Sequence, residues 1–176
     1  MRRSVLIATA LVALVCAGCG GFGGGQVNSR VTEQAVLTKA QVERQPAGSP
    51  QRAVFEWWRA MQFKNPVEAA GYYSASLHIK PPRVYKYIQA ADASLVSRPL
   101  FVDEQTTGDH AIVRLMLERV ERNPNGRVDR ERKAQAFNMV REDGEWKLAD
   151  NIYIEAIYKQ YRAFTAPLRE KGKAPQ

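Results

Sequence analysis

Residues 101–148 read FVDEQTTGDHAIVRLMLERVERNPNGRVDRERKAQAFNMVREDGEWKL, and the fold turns on them. Alternation predicts a strand over 101–106, a turn at Gly108-Asp109 and a long strand over 110–120. Ala111, Val113, Leu115 and Leu117 fall on one face of that strand; Ile112, Met116 and Val120 alternate with Arg114 and Glu118 on the other. Asn123-Pro124-Asn125-Gly126 turns the chain back through 128–141, with Phe137 and Met139 on one face and Ala134, Ala136 and Val140 on the other. Asp143-Gly144 reverses it again, and Trp146, Leu148, Ile152 and Ile154 predict a fourth strand with a change of face near Asp150.

Upstream of this meander the period is helical. Ser49-Pro50 is a start signal, a hydroxyl cap followed by a proline whose missing N–H costs nothing in the first turn. Val54, Trp57, Trp58 and Met61 then follow at i, i+3, i+4 and i+7, an apolar stripe with Arg52, Glu56 and Arg59 off it. Asn65-Pro66-Val67-Glu68 repeats the signal for a second helix carrying Val67, Ala70 and Tyr73. Pro81-Pro82 interrupts the next segment, after which Val84, Tyr85, Ile88 and Ala91 predict a third helix to about residue 93. Ile154, Ile157, Tyr158 and Tyr161 also fit helical spacing, so a C-terminal helix is expected to close the domain before Pro167. Helices first and antiparallel strands after is the α+β order, in which N-terminal helices pack in the concave face of a curved antiparallel sheet.

The amino end carries a different signal. Arg2 and Arg3 precede an apolar run over residues 5–17, shorter than the roughly 20 residues that span a bilayer and the length of a secretory signal core. Ala17-Gly18 leads into Cys19 and then a glycine run, Gly20-Gly21-Phe22-Gly23-Gly24-Gly25. This order resembles a bacterial lipoprotein signal. The resemblance implies cleavage before Cys19 and attachment of a diacylglyceryl thioether there, with Cys16 standing where such signals usually hold Leu or Val. Cutting there leaves Cys19 as the sole cysteine, so no intramolecular disulfide is available. Membrane attachment through the N-terminal lipid on the extracytoplasmic face is the expected location.

The chain has 176 residues, 45% hydrophobic and 25% charged, which excludes a disordered, collagen-like or polytopic membrane protein. Formal net charge is +8; removing residues 1–18 takes away two arginines and leaves 24 basic against 18 acidic side chains, +6. That excess suits anionic headgroups or acidic wall polymers, and nucleic acid is not an expected partner outside the cytoplasm. Of 16 aromatic residues all but Phe22 lie between Phe55 and Phe164, so the expected organisation is a signal peptide over 1–18, a flexible tether over 19–48, the α+β domain over 49–165 and a basic disordered tail over 166–176.

Within that domain Phe55-Glu56-Trp57-Trp58, then Pro66-Val67-Glu68-Ala69-Ala70-Gly71-Tyr72-Tyr73, then Arg141-Glu142-Asp143-Gly144-Glu145-Trp146-Lys147-Leu148 occur in an order similar to the nuclear transport factor 2-like superfamily. These are cone-shaped α+β proteins, polyketide-cyclase-like and ketosteroid-isomerase-like members among them. The resemblance covers about residues 49–154, and a helix after the last strand departs from it in a way that would plug the cone mouth. It implies either acid–base chemistry in the cone or binding by the cavity or the sheet, with pairing of two copies through the exposed sheet face.

Chemistry-bearing residues are sparse. His78 sits beside a proline-rich loop and His110 follows a turn, both positions of solvated side chains. Asp103, Arg114 and Asp150 could line one cavity as acid, cation and base, against the commoner outcome of exposed pairs on the sheet. No metal-ligand cluster and no cofactor are expected. Trp57, Trp58, Tyr72, Tyr73, Tyr85 and Tyr87 are candidate walls of an aromatic pocket for a small apolar ligand, and equally candidates for plain core. Basic side chains gather over 119–133 and 159–173, where solvated loops are the default and a lipid- or partner-facing surface the functional reading. The sequence thus favours a non-catalytic envelope protein that binds a small apolar ligand or a protein partner, with a small isomerase- or dehydratase-like enzyme as the rival.

Overall fold

Trp57 and Trp58 are both fully buried although neighbours on a helix point about 100° apart, so their helix must be covered on more than one side. In the computed structural model, which describes residues 31–33 and 35–171 with side chains from 35 to 166, that helix is α2, Pro50–Gln62. The signal over 1–18, Cys19 and the glycine run lie outside the described residues. Before α2 come β1 (Val31–Glu33) and α1 (Lys39–Glu43); after it come α3 (Pro66–Ala70), a 3-10 turn (Ala75–Leu77) and α4 (Pro81–Leu95). The strands are β2 (Arg98–Thr107), β3 (His110–Arg122), β4 (Val128–Glu142) and β5 (Glu145–Leu148), and α5 (Ile152–Lys171) ends the described chain.

Local chemistry sets these starts. Ser49 Oγ accepts the Arg52 amide at 3.2 Å ahead of Pro50, and Asn65 Oδ1 accepts the Glu68 amide at 3.2 Å ahead of Pro66. Pro81 and Pro82 open α4 rather than merely interrupting the chain, because neither needs an N–H partner in the first turn. In the β4–β5 turn Asp143 and Gly144 both have positive φ, 50° and 83°, the conformation a tight two-residue hairpin needs.

The strands form one antiparallel sheet in which β3 pairs with β4 and β4 with β5. β2 and β1 both pair with β3, β2 up to Glu118 and β1 beyond it at Val120, so the two short partners succeed each other along one edge. A bulge at Val102 shifts the β2 register between Phe101 and Asp103. The expected α+β architecture is the observed one, with helices in the concave face of a curved sheet. The inner face carries Ala111, Val113, Leu115, Leu117, Phe137, Met139 and Leu148 on the side where α2 packs.

Three boundaries and one helix face differ from the sequence reading. Residues 31–48, expected within a flexible tether, include a paired strand and a capped helix, and Leu37 and Val42 are buried in the core. Ile152 and Ile154 do not continue a strand: Asp150 Oδ1 accepts the Ile152 amide at 3.2 Å, starting α5 there, with Ile154 buried and Ile152 70% exposed. α5 runs through Pro167 to Lys171, into the segment expected to be a disordered tail, since a proline removes one backbone bond and a long helix can carry the gap. On α3 it is Ala69 that is buried, while Val67 faces solvent.

Gln62 explains why the segment before α2 is held. Its Nε2 donates to the carbonyls of Leu95 (2.7 Å), Ala35 (3.1 Å) and Ser97 (3.3 Å), while its Oε1 accepts the Leu37 amide at 2.9 Å. One buried amide thereby ties the N-terminal segment, the end of α4 and the entry to β2. Gln62→Leu keeps the bulk but strands these backbone groups; it is expected to lower unfolding free energy by about 3 kcal/mol in urea denaturation and to speed amide exchange at Leu37.

Candidate binding site at the mouth of the cone

The centre of the cone is filled by rings. Trp57 meets Trp58 edge-on at 5.9 Å, Phe137 at 5.5 Å and Tyr73 at 6.0 Å, while Tyr153 of α5 stacks on Trp58 at 6.2 Å and meets Phe137 at 5.9 Å. These edge-to-face contacts are the favoured geometry for aromatic packing. The space left between Trp57, Phe137, Leu148, Tyr153 and Ile154 is about 10 Å³, room for one water at most. α5 thus plugs the mouth.

The six aromatic residues proposed as one pocket are accordingly dispersed. Trp57, Trp58 and Tyr73 are core. Tyr72 lies in a separate polar groove, its hydroxyl donating to Glu56 at 3.3 Å; burial and then the Glu56 charge push that hydroxyl's pKa above the usual range. Tyr85 is 53% exposed, because two residues along a helix reverse direction relative to Tyr87. Tyr87 alone reaches the mouth, its ring buried and its hydroxyl held by other side chains.

Those side chains define a cleft of about 830 Å³ between the 3-10 turn, the start of α4 and the start of α5. Arg83, one turn before Tyr87 on α4, donates to the Tyr87 hydroxyl at 2.9 Å and to Glu155 of α5 at 3.1 Å. Tyr87 in turn donates to the same Glu155 oxygen. The Arg83 guanidinium also lies over the Tyr158 ring at 4.6 Å. Burial raises the Tyr87 hydroxyl, reinforced by its bond to Glu155. Burial alone would raise the Glu155 carboxyl too, but the hydrogen bonds from Tyr87 and Arg83 and the Arg83 charge outweigh it and hold the group below its ordinary 4.5. The two shifts lead away from neutrality, opposite to the matched pKa values that proton transfer near pH 7 exploits. The cluster is a latch between α4 and α5.

The remaining candidates stay apart. Asp103 and Arg114 pair at 2.8 Å on the outer sheet face, while Asp150 accepts from Asn138 and caps α5. His110 is exposed at the β2–β3 turn, and His78 lines the cleft from a left-handed position at φ 50°. The basic hairpin partly neutralises itself: Arg119 pairs with Glu121, Arg127 with Asp129, and Arg132 with Glu118. Glu118, expected on the open face, is 1% exposed because Arg98 and Arg132 fold over it from the neighbouring strands, and their bonds hold its carboxyl low.

No family model matches the chain, and no curated protein matches it. Among solved structures it is similar to a function-unknown protein from Mycobacterium tuberculosis, with 14% identity over 64% of this chain and 84% of that one and a TM-score of 0.44. It is also similar to a candidate aromatic ring hydroxylase from Novosphingobium aromaticivorans, with 10% identity, 56% and 80% coverage and a TM-score of 0.38. A third is a candidate calcium/calmodulin-dependent protein kinase II association domain from Xanthomonas campestris, with 18% identity, 66% and 89% coverage and a TM-score of 0.36.

Arg83, Asn151, Glu155 and Lys159 were not among the sequence candidates. The i, i+4 spacing of Arg83 and Tyr87 was legible, but Glu155 comes from an element 68 residues away from Tyr87. Because the Glu155 pKa is depressed in the folded chain, its stabilisation is full above the ordinary carboxylate value and lost as pH falls through the folded one. The melting temperature is therefore expected to drop on acidification below about pH 4.5, and to drop less in Glu155→Gln, as followed by circular dichroism across pH 3–7.

Proposed function

We propose that this chain is a lipid-anchored, extracytoplasmic cell-envelope protein of nuclear transport factor 2-like type that works by binding rather than catalysis. The observation carrying the reading is the ring-filled cone, which leaves binding to the outside of the domain. The depressed carboxyl and raised hydroxyl at the latch support the same reading, since both groups stay in one protonation state around neutrality. The surface offered to a protein partner, a second copy included, is the outer sheet face. There Leu100, Ile112, Met116 and Val120 are only half-buried beside Ala134 and Ala136. None of the described helices is long and apolar enough to cross a membrane, so attachment rests on Cys19 and the small-residue signal before it.

Two measurements test this. Intact mass of protein extracted from membranes is expected to give a chain beginning at Cys19 with a diacylglyceryl adduct; an unprocessed cytosolic chain with a free Cys19 thiol overturns the anchor. Phe137→Ala is expected to remove about 3–5 kcal/mol in urea denaturation, the loss typical of a packed ring, whereas a loss below about 1 kcal/mol would mean that the ring lined an open, ligand-receiving cone.

A further inference from the structure

The geometry points to a specific ligand class for the mouth cleft: a small amphipathic carboxylate, an acid group on a hydrocarbon chain. This rests on the binding reading above and places the ligand outside the cone, against α5.

The volume, about 830 Å³, lies within the roughly 300–1,000 Å³ of small-molecule sites. Its apolar walls face each other, Leu77 and Ile79 on one side and Ile152 and Ala156 on the other. Ile152 is 70% exposed in the first turn of α5, a large aliphatic side chain that the fold itself does not cover. Hydrocarbon laid along this strip would remove it from water.

The polar groups select the head. Arg83 pairs directly with Glu155, and Lys159, one turn further along α5 and also lining the cleft, acts on the same carboxylate only through space, so two cations face one carboxylate there. Asn151, which lines both this cleft and the small void inside the cone, has its Nδ2 buried with no acceptor. An orphaned buried donor costs about 1–3 kcal/mol, which an incoming acceptor oxygen recovers. The surplus positive charge at Lys159 calls for an anionic head group. The Tyr72 groove has the opposite balance, Glu56, Glu68 and Glu145 against Arg52 and Lys147, and repels the same ligand.

The test uses the full chain with Cys19→Ala, labelled at isoleucine and leucine methyls, titrated with sodium decanoate below its micelle concentration. Saturable shifts are expected at Leu77, Ile79 and Ile152. Binding is expected to weaken about tenfold with Lys159→Ala, the worth of one charge-assisted contact, and about tenfold with decan-1-ol in place of the acid. Ile152→Asp, at another exposed position, is expected to abolish the shifts while the melting temperature stays put. Equal affinity for the alcohol, unaltered binding by the Lys159 and Ile152 variants, or shifts at other methyls overturn the proposal. So do shifts produced by phosphatidylglycerol vesicles and not by decanoate, which would identify a membrane headgroup in place of the free acid. A chain that ignores decanoate yet carries its lipid at Cys19 and loses stability at Phe137→Ala refutes the cleft alone.

Discussion

Burying two successive tryptophans on one helix is the constraint from which the architecture follows. Trp57 and Trp58 diverge by about 100°, so the sheet face that meets both indoles leaves part of the pair to be covered from another side. The inner face of β4 supplies Phe137 for the two indoles, and Tyr153 of α5 stacks on Trp58 from the mouth side. A C-terminal helix therefore belongs to the core of this cone as much as the sheet does. Removing its contact would expose an indole that the rest of the fold has no means of covering.

The same plug creates the cleft. For Tyr153 and Ile154 to face inward, the start of α5 must lie against α4, and the Arg83–Tyr87–Glu155 cluster holds it there. The residues on the other side of that first turn, Ile152, Ala156 and Lys159, are then left lining an open wall. Core packing and the lining of the cleft are two faces of one helix, linked by a polar latch whose charges are settled well away from neutral pH.

Much of this was legible from alternation and caps. The β3–β4 pairing runs without a break from His110 opposite Val140 to Arg122 opposite Val128, the register that the Asn123–Gly126 turn and the two-residue period imply. The caps at Ser49 and Asn65 mark their helices because they act within three residues. The misreadings arise where a distant partner or a competing local signal decides the outcome. Ala35-Val36-Leu37 is too short an apolar run to mark core by period, and it is Gln62, 25 positions from Leu37, that holds the Leu37 amide. Ile152 and Ile154 satisfy both a strand and a helix period, and the Asp150 cap together with the socket for Ile154 resolves the tie toward helix.

The candidate site divides along the same line. Local periodicity and capping, which depend on neighbours a few residues apart, determined the α+β class, the central helix with its two tryptophans and the strand faces. Which aromatic rings became core, which became surface, and that Arg83, Asn151, Glu155 and Lys159 would converge at one mouth were decided only when α5 docked on α4. A side chain's role there depends on what is brought opposite it across long loops, and one chain period carries no record of that distance.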